Sequence, residues 1–183
     1  LRQDPDIIMI GEIRDSETAE IAVKASITGH LVISTLHTNS TAGSITRLLD
    51  MGVESYLIGD SVVGIIAQRL VRRLCPKCKR QRLATMEEKH ALGFAETLEL
   101  MVYEPVGCKE CNNIGYKGRI GVYEIMPISR KISSMVSAKM PADQIERQAI
   151  TEGMTTLRRA AADYVIKGIT TVSEMQKVAY EEE

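Results

Sequence analysis

The sequence has no Trp, one Phe and only 5 Pro in 183 residues. A nucleic-acid surface built on stacked aromatic rings would have few rings to use. It also lacks an excess charge of either sign, with 23 Lys and Arg against 24 Asp and Glu and a formal net charge of -1. That balance excludes a global field pulling the chain onto nucleic acid or an anionic membrane. No apolar run approaches the ~18–20 residues that cross a bilayer, and no basic start with a small-residue cleavage site marks a secretory leader. No G-x-x-x-x-G-K-[ST] loop occurs, so the sequence carries no cradle of backbone N–H groups and Lys for phosphates. The chain opens at Leu1, without Met, just ahead of an apparent core strand, and reads as a piece of a longer, cytoplasmic protein.

What is present describes a globular protein: 44% hydrophobic and 26% charged residues, enough to bury one core with a small insert. Ile7 to Ile10 is a short β-branched apolar run ended by Gly11, as expected of a strand buried on both faces. Asp15 is placed to cap a helix carrying Ala19, Ala22, Val23 and Ile27 at helical spacing, stopped at Thr28-Gly29. Leu31 to Leu36 repeats the strand pattern, and Ser40 or Thr41 opens a helix ending at Gly52. This alternation predicts an α/β fold with a mostly parallel sheet and with ligands at the strands' carboxyl ends, where Glu12 and His37 fall.

A further apolar stretch runs from Ile58 to Leu74. A short helix is expected around Met86 to Leu92, a strand over Arg119 to Met126, and helices over 143–152 and 157–166. A last helix opens at Thr171-Val172-Ser173-Glu174, which has the form of a capping box.

All four cysteines occur as two C-x-x-C knuckles, Cys75/Cys78 and Cys108/Cys111, separated by 29 residues. Two turns that each present two sulfurs match the tetrahedral preference of zinc. Disulfides are the alternative in an oxidising compartment, and a redox C-x-x-C would not require a second pair. An all-cysteine site leaves no open coordination position, so its zinc would be structural. Around it lie Arg69, Arg72, Arg73, Lys77, Lys79, Arg80 and Arg82, read as a solvated flank.

The segment Asp4-Pro5-Asp6-Ile7-Ile8-Met9-Ile10-Gly11-Glu12-Ile13-Arg14-Asp15 resembles the Walker B region of the secretion ATPase superfamily, which drives type II secretion and type IV pilus assembly. Thr28 to Asn39 resembles that family's histidine box. Ala67-Gln68-Arg69-Leu70 and Gly115 to Glu124 are similar to segments flanking its tetracysteine loop, which is typical of the assembly and secretion branches. Gly115 to Ile128 looks more like the pilus assembly branch.

The resemblance implies a partial RecA-like P-loop NTPase core comprising the Walker B half, with parallel strands and helices, plus a tetracysteine zinc loop and a C-terminal helical bundle. The expected boundaries are 1–74 for the core, 75–118 for the insert and 119–183 for the return strand and helices. It implies Glu12 as the catalytic carboxylate, His37 as the phosphate sensor, and Gly11 and Arg14 in support. The cofactors would be structural Zn2+, with ATP and Mg2+ in the full-length parent. The partners would be identical subunits in a hexameric ring and an inner-membrane platform protein, with no nucleic acid. The protein would lie in the cytoplasm, peripheral to the bacterial inner membrane.

Lacking the phosphate-binding loop, the chain alone is expected to be inactive. Taken without the family, a lone His at a strand end is commonly a satisfied structural residue, and Glu12 could be a surface partner of Arg14. Two rival readings are a zinc-ribbon module binding nucleic acid through Lys77, Lys79 and Arg80, and a structural interaction domain. The latter predicts that Glu12 and His37 lie far apart.

Overall fold

The structure, a computed structural model, describes residues 5–180. Asp4, at the start of the Walker-B-like segment, lies outside the described residues. In chain order the elements are β1 (Ile7–Met9), α1 (Ser16–Ile27), β2 (Leu31–Ile33), α2 (Thr41–Asp50), α3 (Ser55–Ser61), β3 (Gly64–Leu74), β4 (Arg80–Leu83), α4 (Met86–Ala91), β5 (Met101–Glu104), a 3-10 turn (Lys109–Cys111), β6 (Tyr116–Pro127), α5 (Arg130–Ser137), α6 (Ala142–Thr151), α7 (Leu157–Ile166) and α8 (Val172–Tyr180). They form two compact units. The first runs to Ala67 and takes in Ile125–Met154, and the second comprises Gln68–Glu124 and the chain from Thr155 onward. The division falls inside β3 and inside β6.

In the first unit β1 and β2 are parallel, with Ile7 opposite Leu31, Ile8 opposite Val32 and Met9 opposite Ile33. The crossover is α1, opened by Asp15, whose carboxylate accepts the Thr18 N–H at 2.8 Å. Such a cap satisfies an otherwise orphaned helix donor. Ala19, Ala22 and Val23 are on its buried face, and Gly29 at φ +102° turns the chain back into β2. The Ser40 hydroxyl caps α2 by accepting the Gly43 N–H at 3.1 Å.

Ile45 from α2, Ile58 from α3, Met126, Ile132 from α5 and Ile145 from α6 make the core, each at most 1% exposed. Each such side chain contributes about 1.5–3 kcal/mol by leaving water. The apolar stretch from Ile58 to Leu74 resolves into the end of α3 and all of β3.

One expectation is corrected. The strands are not buried on both faces, because Ile7, Met9, Leu31 and Ile33 are 59%, 77%, 48% and 50% exposed. The pleat puts these four on one face, opposite the half-buried Ile8 and Val32. The helices of this unit cover only the second face, so the apolar run reports a sheet whose first face no described residue buries.

In the second unit the long interval between the cysteine pairs carries an antiparallel hairpin, β4 with β5, whose register sets Arg80 against Glu104 and Leu83 against Met101. Between the strands sits α4, held by a complete capping box. Thr85 Oγ1 accepts the Glu88 N–H at 3.2 Å, and the Glu88 carboxylate accepts the Thr85 N–H at 2.9 Å. The box expected at Thr171 is only half formed. Thr171 Oγ1 accepts the Glu174 N–H at 3.4 Å, but the Glu174 carboxylate turns away to Arg72. A guanidinium outcompetes a single backbone N–H for a buried carboxylate because its hydrogen bonds carry charge.

Candidate nucleotide-facing and metal-binding sites

Glu12 and His37 follow β1 and β2, and the two strand ends are tied together. The Ile13 N–H donates to Thr35 O at 2.9 Å, and Thr35 Oγ1 donates to Gly11 O at 2.7 Å. Thr35 is a positioning residue the sequence reading passed over, since a Thr after a strand carries no distinctive pattern. The result is that His37 Nε2 lies 3.1 Å from Glu12 Oε2, although the residues are 25 apart in sequence.

Arg14 Nε reaches the same oxygen at 2.6 Å. Its hydrogen bond is the largest influence on Glu12, holding the carboxyl below its ordinary value against a smaller upward push from burial, with His37 adding to the lowering. The imidazole is 82% exposed and Glu12 35% exposed, so both can be reached from solvent. This arrangement can accept a proton from, or orient, a water molecule beside an imidazole donor. Gly11 meets no neighbour at its Cβ position and contributes its carbonyl to Thr35. His30 is separate, its Nδ1 lying 3.0 Å from Ala25 O and 3.2 Å from Thr28 Oγ1 at the end of α1. It serves there as a local cap.

The four cysteines converge, with all four sulfurs within 4.8 Å of one another. Cys75 to Cys108 is 3.9 Å, Cys78 to Cys111 is 3.8 Å and Cys108 to Cys111 is 3.8 Å. A tetrahedron with Zn–S of about 2.3 Å has edges of about 3.8 Å, so the donor set fits zinc. The thiols are free rather than joined in disulfides.

Backbone N–H groups surround the sulfurs. Gly107 donates to Cys78 Sγ at 3.3 Å, and Cys108 and Gly115 donate to Cys111 Sγ at 3.2 and 3.3 Å. Such donors stabilise thiolate, the form that binds metal. Burial is the largest influence on Cys111 and pushes it up, yet the two N–H groups, joined by the neighbouring Cys78 and Cys108 thiols, together outweigh it and bring the thiol down to about 7. At Cys78 burial prevails over the single Gly107 N–H and lifts the thiol to about 11. Gly107 is obligatory, because at φ +105° a Cβ would lie 2.7 Å from Asn113 O. Spacing revealed the ligands but not these donors, which depend on how the turns fold.

The flanking cations are largely engaged within the second unit. Arg80 pairs with Glu104 at 2.6 Å, Arg82 with Glu88 at 2.6 Å and Glu104 at 3.2 Å, and Arg72 with Glu174 at 2.9 Å. Arg72 also lies over the Tyr116 ring, and Lys79 over Tyr103, at 4.1 and 4.7 Å. No helix among the described residues is long and apolar enough to cross a membrane.

Comparison with known proteins agrees with this geometry. The chain is 46% identical over 182 residues to type II secretion system protein E of Aeromonas hydrophila, covering 100% of this chain and 36% of that one. It is 50% identical over 185 residues to the type IV pilus assembly ATPase PilB of Acinetobacter baylyi, covering 99% of this chain and 32% of the relative. The chain thus spans about a third of the length of these relatives.

Among solved structures it resembles the pilus retraction motor PilT with bound ADP, at TM-score 0.66 and 24% identity over 97% of this chain and 40% of that one. The Legionella pneumophila ATPase DotB aligns at TM-score 0.65 and 18% identity, over 98% of this chain and 40% of that one. These two likenesses show the α/β fold of such ATPases. Residues 1–177 match the family model described as type II/IV secretion system protein, and the chain belongs to that family.

Proposed function

We propose that this chain supplies the water-activating half of an ATP site in a longer motor protein that drives type IV pilus assembly or type II secretion. The observation that carries the reading is the meeting of Glu12 and His37 at 3.1 Å on adjacent parallel strand ends. Ligands of open α/β sheets bind outside such ends. The bare apolar face of β1 and β2, with Met9 77% exposed, supports a sheet that is completed by further chain in the full-length protein.

In the proposed mechanism a water molecule attacks the γ-phosphorus of ATP, the bond to the bridging β-phosphate oxygen breaks, and ADP and phosphate leave. Glu12 orients that water and takes its proton, a role suited to a carboxylate kept ionised by Arg14. His37, exposed beside Glu12, donates an imidazole N–H toward the γ-phosphate when ATP is bound and so distinguishes ATP from ADP. Magnesium, when bound, supplies neutralisation of charge on the phosphate oxygens. The phosphate cradle is not encoded in these 183 residues, and the chain by itself therefore binds ATP weakly and does not hydrolyse it.

Cys75, Cys78, Cys108 and Cys111 would hold a structural zinc ion that keeps the second unit's loop folded. In the full-length protein, identical subunits would form a ring of six at the cytoplasmic face of the inner membrane and work against a platform protein there. Identities of 50% to a pilus assembly ATPase and 46% to a secretion protein support either branch. The internal pairing of Arg72, Arg80 and Arg82 weighs against the nucleic-acid reading.

The test is single-turnover ATP hydrolysis by the full-length protein. Glu12→Gln should slow it by about 10²–10⁴, with His37→Ala impaired while nucleotide binding persists. Turnover at the wild-type rate in Glu12→Gln would remove the carboxylate from the reaction.

A further inference from the structure

The segment that carries Glu12 does not continue in register with its neighbour. Along a parallel ladder the N–H donors of one strand recur at every second residue, opposite every second carbonyl of the other. The Ile10 N–H donates to Ile33 O at 2.9 Å, just past the paired residues Met9 and Ile33. In register, the next bond would run from the Glu12 N–H to Thr35 O. The Ile13 N–H takes that place instead, at 2.9 Å, so three residues on one side are spanned by two on the other. One extra residue is accommodated at Gly11 and Glu12, in the manner of a β-bulge.

This slip decides where Glu12 points. Alternation continued from the half-buried Ile8 and Ile10 would turn residue 12 toward the helix-covered face and residue 13 away from it. The observed burial is the reverse. Ile13 is 8% exposed and belongs to the core, whereas the Glu12 side chain stays 35% exposed beside Arg14 and His37. A shift of one residue exchanges the two faces in this way.

The slip also redirects a carbonyl. In register Gly11 O would point away from β2, but here it accepts the Thr35 hydroxyl at 2.7 Å. Thr35 therefore holds both neighbours of Glu12, Gly11 through its hydroxyl and Ile13 through its carbonyl. His37 follows Thr35 by two residues, so the same clamp sets the imidazole against the carboxylate. Branching at Cβ restricts the hydroxyl to few rotamers and stiffens the clamp.

We propose that the Thr35 hydroxyl locks the one-residue slip at Gly11 and Glu12 and thereby aims the Glu12 carboxylate at the attacking water. Thr35 is then a positioning residue that acts through Glu12 and touches neither nucleotide nor water. The inference rests on Glu12 as the group that takes the proton, and adds what holds it in place.

The test is single-turnover ATP hydrolysis by the full-length protein carrying Thr35→Val, which keeps the branched shape without the hydroxyl, Thr35→Ser, which restores the hydroxyl, or Glu12→Gln. Thr35→Val should be slower by about 10- to 100-fold, with ATP affinity unchanged, and Thr35→Ser should recover most of the rate. Adding Thr35→Val to Glu12→Gln should cost nothing further, since the hydroxyl acts through the carboxylate; a merely structural loss would add in full. If the valine variant fails to fold, Thr35→Ala takes its place. In a crystal structure of the hydroxyl-free variant, Glu12 and His37 should part beyond hydrogen-bond distance. A wild-type rate without the hydroxyl, a serine variant as slow as the valine one, or full additivity with Glu12→Gln would overturn the proposal and leave the role of Glu12 standing. A wild-type rate in Glu12→Gln would instead remove the reading beneath it.

Discussion

Glu174 takes three hydrogen bonds from a single residue, Arg72: the backbone N–H at 2.9 Å to one carboxylate oxygen, and Nε at 3.1 Å and Nη2 at 2.9 Å to the other. Lys177 adds a fourth at 2.6 Å, and the glutamate is only 4% exposed. The contact ties β3 to α8 within the second unit. Burial is the largest influence on this carboxyl and pushes it up, but Arg72 and Lys177 together prevail and hold it at about 2.

The depressed value fixes the sign of a pH dependence. A carboxylate lowered on folding stabilises the native state fully above its unfolded value and loses that contribution as pH falls through its folded one. Here the window runs from about 4.5 down to about 2. The stabilisation is on the order of 3 kcal/mol, at 1.36 kcal/mol per pKa unit. Urea midpoints of the wild type should fall steeply across that window. Glu174→Gln should be less stable at pH 7, with a shallower acid limb, and parallel limbs would show that the pair contributes no pH-linked stability.

The tetracysteine site should carry one zinc ion per chain by elemental analysis. A chelator, or Cys111→Ser, should lower the melting temperature of the second unit, because metal-binding energy is folding energy when the unfolded chain has no preformed site. Loss of protection should centre on the knuckles at 75–78 and 108–115 in hydrogen exchange. Full stability after complete removal of metal would show that the thiols hold the loop without it.

Helix α3 approaches α5 at Gly59, where a Cβ would lie 2.5 Å from Ser137 Oγ and 2.9 Å from Ser133 O. The Ser55 hydroxyl donates to Ser137 O at 2.9 Å across the same contact. Alanine gains about 1 kcal/mol over glycine in helix propensity, whereas overpacking costs about 1–3 kcal/mol. The backbone oxygen cannot rotate away, so Gly59→Ala should be destabilising on balance. A raised urea midpoint would mean that the helices separate without penalty.

Arg14 is the largest influence lowering Glu12, which accounts for a carboxylate that stays ionised beside His37. In Arg14→Gln the Glu12 carboxyl should titrate higher, followed by 13C NMR of the side chain, and Arg14→Lys should restore part of the shift. No movement in Arg14→Gln would leave the 2.6 Å contact without electrostatic consequence.

The alternation of strand and helix through residue 50, the placement of Glu12 and His37 just past strand ends, and the gathering of the four cysteines into one cluster were legible in the sequence. Each rests on local signals: a capping Asp15, short β-branched runs, and paired C-x-x-C turns whose geometry is set within a few residues. The apolar runs at 7–10 and 31–36 showed that strands form but not how they are covered, since hydrophobicity measures a side chain's tendency to leave water and not whether a neighbour is there to receive it. The helix Arg130–Ser137 was not distinguished.

The amino-acid sequence by itself determined which residues are chemically competent, because carboxylate, imidazole and thiol identity belongs to the residue. Tertiary structure alone decided which of them meet: Glu12 with His37 across 25 positions, Arg72 with Glu174 across 102, and the N–H groups of Gly107 and Gly115 with the sulfurs they stabilise. The physical reason is that hydrogen bonds and ion pairs act only within a few ångströms, and that proximity arises from the whole chain's packing.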